Sequence, residues 1–135
     1  MAFMVTPLYA GLLGLMLLVL SALVSRQRLR HKVSIGDGDV PSVRAAMRVQ
    51  ANFVEYVPLA LILLVLLELS RHSLYVLHAL GIALVLGRAL HAYGLTKRPG
   101  GRSFGRGVGI LLTWITILVA SVLLIVAAIG RMAVA

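Results

Sequence analysis

Residues 43–69 read VRAAMRVQANFVEYVPLALILLVLLEL. The second half of this stretch is almost wholly apolar, while the first half carries two arginines, an amide and a carboxylate. At 100° per residue Arg44, Arg48, Asn52 and Glu55 fall within an arc of about 80°, so one face of a single helix is strongly polar. The sequence predicts one membrane-spanning helix from Val43 to Leu69 whose polar face is turned away from lipid. An intramembrane charge costs about 2.5–3.5 kcal/mol on insertion scales and therefore lines an interior or a wet cavity. Pro58 takes away a backbone donor, leaves the Val54 carbonyl without its helical partner, and predicts a kink beside Glu55.

The rest of the chain agrees with a membrane setting. Of 135 residues, 61% are hydrophobic and 13% charged, against ~25% charged in a soluble domain. A water-soluble fold of this length has no interior large enough for so much apolar surface. An apolar run from Met4 to Val24 is long enough to cross a ~30 Å hydrocarbon layer at 1.5 Å per residue. Its positive charges follow it rather than precede it, so it reads as a retained span and not as a cleaved leader. Two further spans are predicted from Ser73 to Leu95 and from Gly105 to Ile129. The expectation is an all-α membrane protein, one four-transmembrane-helix domain over residues 1–135.

Charge sets the orientation. The net charge of +9 arises from 13 Lys and Arg against 4 Asp and Glu. Arg26, Arg28, Arg30, Lys32, Arg44 and Arg48 form one basic group and Lys97, Arg98, Arg102 and Arg106 another, in or beside the first and third connections. That distribution predicts both connections on the cytoplasmic side and both termini outside it. It also argues against nucleic acid, which would call for basic residues interleaved with exposed aromatics. The first connection, 26–41, is rich in turn formers (Gly36, Asp37, Gly38, Asp39, Pro41), and Ser42 is the expected cap of the second helix. Only Ser70 to His72 separate the second and third helices, which predicts an antiparallel hairpin. Ala79, Ala83 and Gly87, and Gly101, Gly105 and Gly109, recur every four residues, a spacing that lets helices approach closely in lipid.

Counting outward from Arg71, Glu55 is level with Arg88 and Asn52 with His91. Cations, one carboxylate, an amide and an imidazole thus gather toward the cytoplasmic leaflet. Such a zone suits a small ligand with more carboxylate than ammonium groups, arginines meeting the former and Glu55 the latter. The same groups also admit a purely structural reading, in which Arg48, Asn52, Glu55 and Arg88 satisfy one another within the bundle. Glu68 reads as solvated or paired with Arg71. No metal site is expected: there are no cysteines, and the histidines lack the i, i+4 spacing of a helical zinc motif. A small exporter relies on a carboxylate in its first helix, and the first glutamate here is Glu55.

The string from Arg48 through Gln50, Asn52, Glu55 and Tyr56 to Pro58 resembles the second-helix signature of the MAPEG family, the membrane-associated proteins in eicosanoid and glutathione metabolism. It is similar in particular to the leukotriene C4 synthase and microsomal glutathione transferase forms, and the whole chain looks most like the bacterial members. The resemblance implies a homotrimer in the bacterial inner membrane, with glutathione as co-substrate between neighbouring subunits. By position it implies that Arg48, Asn52, Glu55 and Tyr56 hold glutathione from one subunit and Gln50 and Arg28 from the next. Gly87-Arg88-Ala89-Leu90-His91 resembles the matching stretch of the prostaglandin E synthase relatives and adds Arg88 and His91. Arg102 and Ser103 resemble an Arg-Ser pair implicated in thiol activation. Leu95 stands where the family's enzymes often carry a tyrosine.

The implied chemistry is transferase or peroxidase action on a hydrophobic small molecule dissolved in the bilayer. A free thiol ionises near roughly pH 8.5 and only the thiolate is nucleophilic, so a cation such as Arg102 and a donor such as Ser103 would serve as the catalytic pair. The alternative of a different class is a non-enzymatic membrane protein that binds lipid or glutathione.

Overall fold

The computed structural model describes residues 5–97 and 103–133, and these form four long helices: α1 (Thr6–His31), α2 (Pro41–Leu69), α3 (Leu74–Lys97) and α4 (Phe104–Met132). Even the shortest has 24 residues, about 36 Å at 1.5 Å each, and so exceeds the hydrocarbon thickness. All four are apolar enough to cross a membrane. The chain is an integral membrane protein built as a four-helix bundle.

Each helix end has a physical reason. α1 begins with Pro7 in its first turn, where a missing donor costs nothing. Its first amides are satisfied from far away in sequence: the Glu68 carboxylate accepts the Val5 and Thr6 N–H groups, both at 2.8 Å. Glu68 therefore caps α1 across the bundle, rather than being held in solvent or by Arg71 alone. At the other end α1 does not stop at the last apolar residue. It runs through Arg26, Arg28 and Arg30 to a left-handed Lys32 (φ 56°), where the Val33 amide returns to the Arg28 carbonyl at 2.9 Å. The basic group expected in a loop is thus largely helical, because no glycine or proline interrupts it before Gly36.

α2 starts with Pro41 at its first position and Val40 as extended N-cap, with no side chain capping it. Ser42 lies inside the helix, its hydroxyl 3.2 Å from His31 Nε2. The expected cap fails because proline, with its fixed φ, takes the first helical place. α2 then runs unbroken through Pro58 to Leu69. A left-handed Arg71 (φ 59°) turns the chain, the His72 amide bonding back to Leu67 at 3.2 Å, and α3 returns as the expected hairpin partner.

α2 and α3 are central. α2 packs on α1, α3 and α4, and α3 packs on the other three, whereas α1 and α4 do not meet among the described residues. The core is a continuous apolar seam that includes Leu13, Leu20, Phe53, Val57, Leu64, Leu77 and Leu84. α3 lies on α4 with backbone close to backbone. A methyl group added at Gly87 would lie 2.9 Å from the Gly109 carbonyl oxygen, and one at Gly94 would lie 2.7 Å from Ser103 Oγ. Gly87, Gly94, Gly105 and Gly109 carry this contact, while Ala79, from the predicted small-residue row, is exposed and Gly101 lies outside the described residues. Thr113 and Thr116 are buried in the same seam and return their hydroxyls to the Gly109 and Leu112 carbonyls, both at 2.9 Å.

Candidate functional site

The α2 polar stripe meets α3 and the first turn of α4 in a cleft of about 340 Å³, lined by Arg44, Arg48, Asn52, His91, Leu95 and Arg106 with Pro41 at its rim. That volume falls in the ~300–1,000 Å³ range of small-molecule sites.

Behind Asn52 lies Arg88, only 1% exposed. Its Nη1 donates to Asn52 Oδ1 at 2.9 Å and to the Asn52 carbonyl at 3.3 Å. The guanidinium stands 5.8 Å over the Tyr56 ring, a cation–π contact that is stronger away from water. Its Nε and Nη2 have no hydrogen-bond partner among the described residues. A buried donor left unmade costs about 1–3 kcal/mol, more when charged. Among the described residues no carboxylate balances this guanidinium, because Glu55 turns to Arg48 instead. That pair sits at 3.9 Å with both side chains more than half exposed, 62% and 51%. An ion pair this open and this long holds little net energy, so both groups remain available to other partners, and Arg48 lines the cleft.

One turn further into α3, His91 is buried and its Nδ1 lies 3.3 Å from the Arg106 carbonyl. A carbonyl only accepts, so Nδ1 carries the proton in this bond and Nε2 of the neutral ring is left as the acceptor. This contact exists because Gly94 and Gly105 let the start of α4 lie against α3. At the rim, Arg44 Nε donates to the Asp37 carboxylate and Nη2 to Asp39 Oδ1 at 2.9 Å. The Arg44 hydrogen bond, helped by the Asp39 amide, holds the Asp37 carboxyl below its ordinary range.

The structure brings Arg48, Asn52, Glu55, Tyr56, Arg88 and His91 into one neighbourhood. Others from the sequence lie elsewhere in the single chain. Gln50 faces α1 and donates to Ser21 Oγ at 2.7 Å. Arg28 bonds the Ser34 carbonyl at 3.1 Å and Met47 Sδ at 3.6 Å, in a separate groove with Ser25 and Lys32. Ser103 opens into another cleft with Tyr93, Gly94 and Lys97. Arg102 lies outside the described residues. Two charged cleft residues, Arg44 and Arg106, are not among the site residues expected from the sequence. Arg44 was visible as the i−4 neighbour of Arg48. Arg106 was not, since its place depends on the glycine-mediated contact between α3 and α4. No group of three or more His, Cys, Asp or Glu side chains suited to a metal occurs among the described residues.

Comparison with known proteins bears on the same segments. A profile of the MAPEG family matches residues 6–126, which takes in α1, α2, α3 and most of α4. The chain is also 38% identical over 95 residues to "Inner membrane protein YecN" of Escherichia coli strain K12, covering 70% of this chain and 72% of that protein. The counterpart of the same name from Escherichia coli O6:H1 matches to the same extent.

Proposed function

Since the chain belongs to the MAPEG family, we propose that it is a membrane-bound glutathione transferase or peroxidase, which uses glutathione as co-substrate against hydrophobic electrophiles. The observation that carries this reading is Arg88: a guanidinium 1% exposed, with two donor nitrogens unsatisfied among the described residues, bonded to Asn52 in the wall of an open cleft. A purely structural arginine would be expected to find its carboxylate inside the bundle. Here the carboxylate of the stripe, Glu55, is more than half exposed and pairs with Arg48. In this reading Arg48 and Arg88 take the ligand's carboxylates, Glu55 its ammonium, and Asn52, Tyr56 and His91 the peptide groups.

The proposed assembly is a homotrimer in an inner membrane with both termini on the non-cytoplasmic side. It accounts for the scattered residues. Arg28, Gln50 and Ser103 point away from the cleft of their own chain, and packing against a neighbour is what would give them a shared site. Arg102 and Ser103 would then stabilise the thiolate. The sulfur lone pair attacks the electrophilic carbon, the leaving group departs with its bonding pair, and the thiol proton passes to water.

The test is ligand-dependent melting in detergent together with conjugation of an aromatic electrophile. Binding to the folded state raises stability by RT ln(1 + [L]/Kd), about 2.7 kcal/mol at a hundredfold excess over Kd. Glutathione should raise the melting temperature of the wild type, and Arg48→Ala and Glu55→Gln should abolish most of that rise. An unchanged rise in both variants would refute the α2 assignment. One observation favours a second reading, in which the protein binds glutathione or lipid without turnover: Ser103 opens away from the cleft that holds Arg48. Stabilisation without conjugation, and no effect of Arg102→Ala on either, would decide for it.

A further inference from the structure

Arg44 has a role that the site as described leaves unassigned. It stands one turn before Arg48 on the same face of α2 and lines the same cleft, yet its donors point to two aspartates of the connection between α1 and α2. That acidic hook is built independently of Arg44. Gly36, Gly38 and Asp39 adopt left-handed φ values of 67°, 58° and 55°, Asp37 Oδ1 accepts the Asp39 amide at 3.0 Å, and the Asp37 carbonyl accepts the Val40 amide at 3.0 Å. The turn thus presents two carboxylates at the rim of the cleft whether or not a cation meets them.

We propose that Arg44 is a carboxylate-binding residue of the cleft and that Asp37 and Asp39 are built-in competitors for its guanidinium, so that a ligand carboxylate binds by displacing the hook. The identity of the ligand rests on the glutathione reading; the competition itself rests on the geometry. At the side chain Asp39 is 99%, Arg44 53% and Asp37 30% exposed, and ion pairs open to solvent contribute little net stability. They exchange partners readily, unlike Arg88 in the interior. A guanidinium prefers the forked geometry of one carboxylate to two separate single bonds, and a ligand's carboxylate can offer that. Because Asp37 is held ionised by Arg44, the competition persists throughout the neutral range. Of the arginines lining the cleft, Arg44 is paired with Asp37 and Asp39, and Arg48 with Glu55. A ligand carboxylate that enters must therefore compete with these acids for the guanidinium groups.

The experiment is calorimetric titration of the detergent-purified full chain with glutathione and with its diester, which has no free carboxylate. Four forms are compared: wild type, Asp37→Asn/Asp39→Asn, Arg44→Gln, and all three substitutions together. Removing the hook should tighten glutathione binding about two- to fivefold, the range to which the worth of an exposed ion pair converts. Arg44→Gln should weaken it, and adding the hook changes to Arg44→Gln should restore nothing. The diester should show no gain from removing the hook. If glutathione binds wild type and hook variant equally, or if the gain survives Arg44→Gln or appears with the diester, the competition is wrong while the glutathione reading stands. If glutathione binds neither wild type nor hook variant, both fall. The substitutions lie in an exposed turn and the first turn of α2, and melting curves without ligand check that each form is folded.

Discussion

Arg88 and Asn52 show how one buried contact separates a structural role from a binding one. Asn52→Ala takes away the sole side-chain acceptor that Arg88 has among the described residues and leaves a charge buried. It should cost about 1.5–3 kcal/mol, the worth of a hydrogen bond to a charged group, read as reduced resistance to unfolding in mixed micelles. Arg88→Met removes the charge together with its unsatisfied donors, and a hydrophobic replacement for a buried ion is often neutral or stabilising. It should melt no lower than Asn52→Ala and yet lose the glutathione-dependent rise. A large loss of stability without ligand in Arg88→Met would mark this arginine as architectural. Asp37 gives a pH dependence of definite sign. Its folded pKa is depressed, so its contribution is present above the unfolded value of roughly 3.9 and disappears as pH falls through the folded one. The part of the acid-melting profile due to this pair should vanish in Asp37→Asn. The polar stripe itself was legible in the sequence because 100° spacing places Arg44, Arg48, Asn52 and Glu55 together. That Arg88 would choose Asn52 over Glu55 was not, since it depends on side-chain reach between two helices.

At the level of the helices, the approach of α3 to α4 depends on having no side chain at a few positions. Gly87→Val would drive branched carbons into the Gly109 carbonyl and the Leu112 and Thr113 side chains. Overpacking of this kind costs typically about 1–3 kcal/mol, and it would also shift Arg106 relative to His91. Gly107→Ala is the control: nothing lies within 4 Å of a methyl group there, and alanine in a helix is favoured over glycine by about 0.5–1 kcal/mol. Thermal melts in detergent should move in opposite directions for the two. The spans were readable from apolar length, and the α2–α3 hairpin from its short link. The extension of α1 to His31 is hidden in the sequence because the same arginines signal topology, although Arg, Gln and Leu are also good helix formers. The Glu68 cap on α1 was beyond any local pattern, since its partners are 62 and 63 residues away.

Across the whole molecule, the absence of cysteine makes orientation directly measurable. Ser34 and Ser73 are exposed at opposite ends of the bundle. In intact cells or sealed vesicles of native orientation, a membrane-impermeant maleimide should label Ser73→Cys and spare Ser34→Cys. The reverse pattern would invert the proposed topology. The outward faces of α1 and α4, rich in exposed leucine, valine and isoleucine, suit lipid or a neighbouring copy, and native mass spectrometry of the detergent-solubilised protein should show three chains. Neither orientation nor copy number is written in the periodicity of one chain: the first comes from charge asymmetry across the bilayer, the second from surfaces that composition does not distinguish from lipid-facing ones.

The Glu68 carboxylate on the first amides of α1 has a consequence for biogenesis. During synthesis α1 leaves the ribosome long before the acid that seals its leading end, and those amides must wait for α2 to be threaded through the translocon. The bundle therefore fastens at that end only once α2 is complete. Replacing Glu68 with glutamine should leave the finished helices in place but quicken amide exchange at Val5 and Thr6, as a clasp weakened at its final stitch.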